Sequence, residues 1–209
     1  MDKKEKDTRQ RLLEAACAVF AEKGYANATV AEICGRAGAN IALVNYYFGD
    51  KESLYDCVWR HAFKTAVTEF PIDGGLPDDA DPQTRLRTAI RAILGRIFAQ
   101  TDAAYFPRLM LQEMASPSAA LTKIADEAIA PQMEYMHKTI RELIGEDASE
   151  RLVFQCLTST MSQCIMHGCG HSIASRIYRE ENPAMNDLES MTDHIFTFSL
   201  GGMEAARKG

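Results

Sequence analysis

The chain has no run of about 20 uninterrupted apolar residues, which is the length that a membrane-spanning helix requires. Its first residues are charged, and no apolar stretch follows them, so they do not have the pattern of a secretory signal peptide. Both absences argue against a membrane protein. We therefore expect a cytoplasmic location and no membrane partner.

The sequence also lacks the short motifs of common catalytic sites. It contains no Gly-x-Ser-x-Gly nucleophile turn, no Gly-x-x-x-x-Gly-Lys-Ser phosphate loop and no His-Glu-x-x-His zinc motif. Its carboxylates are not paired in a recognisable catalytic setting. We expect that the protein is not an enzyme and that it uses no cofactor.

Cationic residues are not in excess. Residues 1–60 carry nine Lys or Arg and nine Asp or Glu, so the net charge of −6 arises entirely after residue 60. A neutral segment can still bind phosphate where its cations cluster. Such a cluster is present at Lys3, Lys4, Lys6, Arg9 and Arg11, and the alternative for it is a solvated, frayed terminus.

Six cysteines are present, which is an even number. In a reducing compartment we expect them to be free thiols buried as small apolar groups rather than disulfides. They are Cys17, Cys34, Cys57, Cys156, Cys164 and Cys169.

Residues 29–54 predict two short helices joined by a glycine turn and followed by a third helix. Thr29 and Glu32 form a capping box at the start of the first, and Gly38 is placed to end it with positive φ. Asn40 is a suitable cap for the second helix, and the third begins at Lys51. Ala31, Ile33, Cys34 and Ala37 are expected to be buried in the first, and Val44 and Phe48 in the second.

An amphipathic helix precedes this motif. Leu12, Ala16, Val19 and Phe20 recur at helical spacing, with Asp7 or Thr8 as caps and Gly24 as the end. The three-helix arrangement is that of a helix-turn-helix, so we predict binding to double-stranded DNA. The alternative is a small helical core without a partner.

The motif resembles that of the TetR family of bacterial transcription regulators. It matches the family pattern at Thr29, Ile33, Ala37, Gly38, Phe48, Lys51 and Leu54. It departs from the pattern at Cys34, Ala39, Asn40, Ala42, Val44, Asn45 and Tyr47. Asn45 replaces a phenol by an amide on the surface that would face DNA, which affects sequence preference rather than fold.

The resemblance implies the roles of single residues. It places Ile41, Ala42, Leu43 and Asn45 in the groove, and Thr29, Tyr46, Tyr47 and Lys51 at phosphates, with Asn40 at the start of the reading helix. An amide such as that of Asn45 can pair bidentately with adenine, and Ile41 or Leu43 can contact a thymine methyl group.

The length of 209 residues allows two domains, a DNA-binding domain at 1–60 and an all-helical ligand-binding and dimerisation domain at 61–209. Prolines, glycines and aspartates at 71–82 predict an exposed loop. After it we expect helices from Leu86 to Phe98 and around Phe106 to Met114. A further helix from Pro117 to Gly145 is predicted to kink at Pro131.

The predicted helical bundle can leave a cavity for a small, largely apolar effector. The C-terminal half resembles the CecR-like subgroup of the TetR family at 111–114, 162–164 and 194–202, which implies a regulator of efflux or stress genes. The alternative for each candidate lining residue is ordinary core packing. These candidates are Phe63, Phe106, Met110, Met114, Met133, Met136, His137 and Phe154.

Two long helices are predicted at the end of the chain, from Ser149 to His167 and from Asn186 or Asp187 onward. Each has an apolar stripe flanked by small residues, so each can be covered from two sides. The TetR resemblance implies that they form a homodimer that binds a palindromic operator as a repressor. It also implies that effector binding moves the helix from Lys51 to about Phe70. The alternative is a monomeric bundle.

A second reading of function is based on four residues of zinc-ligand type, Cys164, His167, Cys169 and His171. They suggest a metal- or thiol-responsive regulator. Their spacing is poor, because Gly168 and Gly170 are expected to end the helix between them and no Cys-x-x-Cys pair accompanies them.

Overall fold

The computed structural model describes the backbone of residues 3–178 and 187–207, and the side chains of residues 7–167 and 187–207. All regular structure in these ranges is helical, which confirms the all-α prediction. The α-helices are α1 (Lys3–Asn27), α2 (Val30–Ala37), α3 (Ile41–Phe48), α4 (Lys51–Glu69), α5 (Pro82–Phe98), α6 (Tyr105–Ala115), α7 (Leu121–Ile124), α8 (Ala130–Ile144), α9 (Glu150–Tyr178) and α10 (Leu188–Arg207). A 3-10 turn at Asp102–Ala104 precedes α6, and a π-helical turn at Ala125–Ile129 joins α7 to α8.

The chain divides into two compact units. The first contains residues 3–69 and 100–129, and therefore α1 to α4 together with α6, α7 and the π-helical turn. Helix α1 packs on α2, α4 and α6, and α4 also packs on α3 and α6. The fully buried rings of Phe20 and Tyr55 lie 4.7 Å apart at the centre of these contacts.

The second unit contains residues 70–99, 130–178 and 187–207. Helices α5, α8, α9 and α10 pack around an aliphatic core that includes Leu86, Ile90, Met136 and Ile195. The residues from Phe70 to Asp81 form turns, as the proline, glycine and aspartate content predicts. Arg96 is buried against this connection, where its guanidinium donates to the Phe70 carbonyl, and burial lowers the pKa of Arg96 to about 10.

The first helix differs from its prediction at its start, because it begins at Lys3 rather than after Asp7 or Thr8. Gly24 has non-helical φ 72 and ψ 171, so the helix ends there as predicted. A short second helical segment follows the kink and extends α1 to Asn27.

In α2, Ile33, Cys34 and Ala37 are buried as predicted, whereas Ala31 is exposed. The prediction for Ala31 was wrong because it lies two residues before Ile33, about 200° around the helix from that side chain.

A single helix was predicted to begin at Pro117. In the structure the helical segment begins at Leu121, and the π-helical turn lies within it directly before α8. Pro131, in the first turn of α8, has no N–H to donate, and its ring would clash with the carbonyl four residues earlier. A widened turn before a proline is one of the usual ways in which a helix accommodates both effects.

Helix α9 continues through Gly168 and Gly170 to Tyr178, so the predicted break at these glycines was wrong. A glycine in a helix interior costs about 1 kcal/mol relative to alanine, which a helix of 29 residues tolerates when it packs on its neighbours. Five of the six cysteines have described side chains and are free thiols; Cys17, Cys34 and Cys164 are buried, while Cys57 and Cys156 are half-buried.

None of the helices in the described ranges has the length and apolar character needed to cross a membrane.

Candidate nucleic-acid interface

Hydrogen bonds at both ends of α2 fix the turn that leads into α3. Oγ1 of Thr29 accepts from the N–H of Glu32 at 3.2 Å, as the capping box predicts. At the other end Gly38 has φ 61, and the N–H of Ala39 donates to the Cys34 carbonyl at 3.0 Å. Glycine adopts this left-handed conformation without steric cost, and only residues 38–40 separate α2 from α3.

Helix α3 presents one face to solvent. Oδ1 of Asn40 accepts from the N–H of Leu43 at 3.1 Å and begins the helix. Val44 and Phe48 are buried, so the opposite side of the helix faces outward, and Leu43 and Tyr47 are half-buried at the border. The exposed side chains are those of Ile41, Ala42, Asn45 and Tyr46.

Lys51 begins α4, just after the turn that ends α3. Its Nζ lies 4.5 Å from the centre of the Tyr25 ring, and burial lowers the pKa of Lys51. The neighbouring Asp50 caps α4, because its Oδ1 accepts from the N–H of Ser53 at 2.7 Å, and this bond lowers the pKa of Asp50. The aromatic ring therefore holds the ammonium group at the start of the helix.

Two arginines of α1 contact the motif itself. The guanidinium of Arg9 lies 5.0 Å from the centre of the Phe48 ring, and Nη1 of Arg11 donates to the Ala37 carbonyl at 3.0 Å. The second bond satisfies a carbonyl at the end of α2 that has no partner within the helix. Arg11 therefore has a structural contact in addition to its predicted place in a basic cluster.

Two other cations of the first unit, Lys23 and Arg36, are paired with carboxylates. Arg36 donates to both carboxylate oxygens of Glu22 at 2.8 and 2.7 Å, and Lys23 donates to Glu32 at 2.8 Å. These pairs join α1 to α2. The side chains of Lys3, Lys4 and Lys6 lie outside the described residues.

The predicted effector-lining residues are divided between the two units. Phe63 and Phe106 lie together in the first unit, with ring centres 5.3 Å apart. In the second unit, Met136 is fully buried in the aliphatic core and Phe154 is 64% exposed. The remaining four are Met110 and Met114 in the first unit and Met133 and His137 in the second. Met114 is exposed, and the other three are half-buried.

A buried polar contact in the first unit was not predicted. The hydroxyl of Tyr55 donates to Oε1 of Glu113 at 2.6 Å, and Oε2 of the same carboxylate accepts from the N–H of Ser118 at 2.8 Å. Burial and the Glu113 carboxylate raise the pKa of Tyr55, which keeps the phenol protonated as a donor. The sequence signal is the spacing of Phe106, Leu109 and Glu113, which places an acidic residue on the buried side of α6.

The metal-responsive alternative gains no support. No group of three or more His, Cys, Asp or Glu side chains is arranged to hold a metal in the part of the chain whose side chains are described. Cys164 is buried and His167 packs against His194, with ring centres 6.0 Å apart. The side chains of Cys169 and His171 lie outside the described residues.

The capped turn and the exposed face of α3 define the class of this protein, which is that of the helix-turn-helix transcription regulators. Two family descriptions match the chain: "Bacterial regulatory proteins, tetR family" at residues 12–58, and "HTH-type transcriptional dual regulator CecR, C-terminal domain" at residues 82–203. The chain belongs to the TetR family and, by its C-terminal region, to the CecR type within it.

Individual relatives agree with this assignment. The chain is 32% identical over 156 residues to the HTH-type transcriptional dual regulator CecR of Shigella flexneri, covering 70% of this chain and 69% of that protein. It is 36% identical over 85 residues to the regulator BetI of Stenotrophomonas maltophilia, covering 39% of this chain and 41% of that protein. The second match therefore spans about two fifths of the relative.

Solved structures show the same fold. A TetR-like transcriptional regulator from Rhodococcus sp. RHA1 superposes with a TM-score of 0.66 at 15% identity, covering 94% of this chain and 96% of that chain.

Proposed function

We propose that the protein is a ligand-responsive repressor that binds a palindromic operator as a dimer and is released by a small, largely apolar molecule. Residues 1–60 bind the operator, and residues 61–209 bind the effector and form the dimer. The observation that carries the proposal is the outward face of α3, where an amide, a phenol and two apolar side chains are exposed on a helix capped at its start.

The reading surface fits the major groove of DNA. Asn45 is exposed in the middle of α3, and its amide can donate to and accept from adenine at once. Ile41, Ala42 and Leu43 lie in the first turn, where apolar side chains can contact thymine methyl groups. These four side chains are the proposed base readers, with Asn40 fixing the start of the helix.

The phosphate contacts flank this surface. Oγ1 of Thr29 accepts a backbone hydrogen bond but keeps its own proton, so it can still donate to a phosphate at the start of α2. Lys51 places its ammonium group at the start of α4. The phenol groups of Tyr46 and Tyr47, whose ring centres lie 4.9 Å apart, are the other proposed phosphate contacts.

Dimerisation is supported by the surface of the last two helices. Phe154 and Met166 on α9 and Phe198 on α10 are each more than 60% exposed, although the same helices bury Val153 and Ile195. Large apolar side chains exposed on neighbouring helices favour burial against another surface. A two-fold partner would place two reading helices about 34 to 36 Å apart, which is one turn of DNA.

Effector release requires a link between the ligand and the reading helix. Within the first unit α4 provides such a link. Its Tyr55 packs against α1, and Trp59 and Phe63, one and two turns later, pack against Phe106 of α6. A ligand that binds the two states of this helix with a difference of about 1 to 3 kcal/mol would change operator affinity by about 5- to 150-fold.

The test is selection of binding sites from genomic fragments with the purified full-length chain at low ionic strength. We expect enrichment of a palindrome whose half-sites are centred about 10 base pairs apart, bound by two protomers. Transcription from a promoter containing this site should fall when the protein is added. A monomeric protein without affinity for any fragment would contradict the proposal, and transcription that rises with added protein would replace repression by activation.

A further inference from the structure

The first unit contains a cavity of about 140 Å³ between α4 and the segment formed by α7 and the π-helical turn. Its apolar wall consists of Trp59 and Phe63 from α4 and of Ile124 and Ala128 from the facing segment. The Phe106 ring supports the wall from behind, with its centre 5.9 Å from that of Trp59. Of these side chains, only Phe63 and Phe106 were predicted from the sequence to contact an effector.

Four charged side chains surround the cavity as two ion pairs. Asp56 and Arg60 lie one turn apart on α4, and Lys123 and Glu127 lie one turn apart on the facing segment. Lys123 pairs with Asp56, and Arg60 Nη2 lies 3.3 Å from Glu127 Oε2. The cavity therefore has an aromatic wall and a rim whose charges sum to zero.

In the Lys123–Asp56 pair the cation can leave more easily than the anion. In the Arg60–Glu127 pair, by contrast, both side chains are long and exposed, at 63% and 52%. The side chains of Arg60 and Lys123 are 63% and 45% exposed and are long and flexible, so they can turn into water. Asp56 is only 28% exposed, and its single methylene holds the carboxylate beside the aromatic wall. A competing cation can replace Lys123, whereas a competing anion would have to enter beside the Asp56 carboxylate, which remains in place.

Trp59 lines the cavity although it is 3% exposed, and a cation that reaches the ring face of Trp59 or Phe63 is favoured there. The face of an indole ring attracts cations through its quadrupole, and tryptophan gives the strongest interaction of this kind. We propose that this cavity binds small organic cations, with the apolar body on Trp59 and Phe63 and the ammonium group at Asp56 in place of Lys123. The inference names the effector class of the proposed repressor and so rests on the proposed function, but it extends the effector site from residues 61–209 to Asp56 and Trp59 at the end of the operator-binding segment.

Occupation of the cavity has a direct consequence for α4. The Lys123–Asp56 pair joins α4 to α7, and a ligand that takes over Asp56 removes this connection. Tyr55 is adjacent to Asp56 in the chain and packs against Phe20 and Tyr25 of α1. The Tyr25 ring in turn contacts the ammonium group of Lys51. The ligand therefore acts on the helix that holds one of the proposed phosphate contacts.

Trp59 provides the readout, because it is the single tryptophan of the chain and lines the cavity. The experiment measures its fluorescence in the full-length protein during titration with benzyltrimethylammonium, a permanent cation. Phenylacetate and 2-phenylethanol serve as the anionic and neutral probes of similar size. We expect saturable quenching by the cation at concentrations where the other two probes have little effect.

Two substitutions at the rim should act in opposite directions. Asp56→Asn removes the carboxylate but keeps its shape, and we expect cation affinity to fall about tenfold. Lys123→Gln removes the competing ammonium group and should raise cation affinity several-fold. Asp126→Asn is the matched control, since this exposed carboxylate lies on the same segment but does not line the cavity, and it should leave affinity unchanged.

The inference is overturned if the cation does not quench Trp59, if phenylacetate binds as well as the cation, or if Lys123→Gln weakens binding as Asp56→Asn does. Operator binding is measured separately by gel shift on the same samples. Loss of operator binding on addition of the cation supports both proposals. Saturable quenching with unchanged operator binding supports the cation site and contradicts its role as the effector site of a repressor.

Discussion

Several polar side chains at the proposed interface already have a structural role. Thr29, Asn40 and Asp50 each accept a backbone hydrogen bond at the start of a helix. Replacing such a cap with alanine costs about 0.5 to 2 kcal/mol of stability, so the loss of a DNA contact could not be separated from the loss of a helix start. Asn45 and Lys51 cap no helix and allow cleaner tests.

Asn45→Ala should relax base preference at one position of each half-site. The amide is exposed and can bond two groups of adenine, so the preferred sequence should lose about 1 to 3 kcal/mol per half-site. The measurement is affinity for the operator and for variants changed at each position. Gln83→Ala removes an exposed amide from the second unit and is the control, and equal weakening on all sequences would exclude base reading by Asn45.

Lys51→Ala should weaken binding to all sequences alike. One phosphate contact would be lost in each protomer, so the slope of log affinity against log salt should decrease in magnitude by about one unit per protomer. Affinity is measured across a salt series on specific and random DNA. Lys64→Ala, at an exposed position later on α4, should leave the slope unchanged, and an unchanged slope in Lys51→Ala would remove this residue from the phosphate contacts.

At the level of elements, sequence patterns predicted local features more reliably than distant ones. The caps of α2 and α3 and the buried pair Val44 and Phe48 follow from residues within one or two turns. Local propensity disfavours the continuation of α9 through Gly168 and Gly170, and it does not report that α9 packs elsewhere along its length against α5, α8 and α10.

The charged rim of the cavity could not be predicted for the same reason. Asp56 and Lys123 are 67 residues apart, and each has the spacing of an ordinary solvated helix face. Only folding brings them together. Conversely, Met136 was a reasonable candidate for a ligand cavity but fills the core of the second unit, because methionine fits both environments equally well.

The interruption of α1 at Gly24 should be sensitive to a side chain. Gly24 has φ 72, and an added Cβ would lie 3.0 Å from Oε1 of Gln112. Gly24→Ala should therefore destabilise the protein by about 1 to 2 kcal/mol, measured by urea unfolding. Gly35→Ala, inside α2 with no atom within 4 Å of the new Cβ, should be neutral or slightly stabilising. Equal stability of the two variants would contradict the interpretation of Gly24.

The Tyr55–Glu113 bond should contribute to the stability of the first unit. Tyr55→Phe keeps the ring but leaves a buried carboxylate oxygen without its donor, at an expected cost of about 1 to 3 kcal/mol. The measurement is again denaturant unfolding. Tyr46→Phe removes a hydroxyl from a side chain that is 72% exposed and should change stability little. A Tyr55→Phe variant as stable as the wild type would show that Glu113 finds another donor.

At the scale of the whole molecule, packing does not follow the boundary predicted at residue 60. Helix α6 and the residues up to Ile129 belong with α1 to α4, although 35 residues, 70–104, separate the end of α4 from the start of α6. The change of composition at 71–82 indicated that α4 ends before this segment. It could not indicate that residues 100–129, after α5, pack with α1 to α4 again. The assignment of DNA binding to 1–60 and of effector binding and dimerisation to 61–209 stays a prediction.

Phe198→Glu should weaken the proposed dimer. The side chain is 67% exposed on α10, and a charge buried there between two protomers would be unpaired. We expect sedimentation to show dissociation at micromolar concentration and operator affinity to fall with it. Leu111→Glu, an exposed position on α6 in the first unit, should remain dimeric. A dimeric Phe198→Glu variant would place the interface elsewhere.

The shared packing of α1, α4 and α6 limits how regulators of this type can exchange parts. A hybrid made by joining residues 1–60 of this chain to the remainder of a relative would pair α1 with a foreign α6, and Gln112 would no longer donate to the Ala21 and Glu22 carbonyls. Recombination that transplants operator preference intact must therefore carry residues 100–129 along with the amino-terminal helices. Engineers who splice sensors from such proteins need three crossover points, after residues 69, 99 and 129, rather than one.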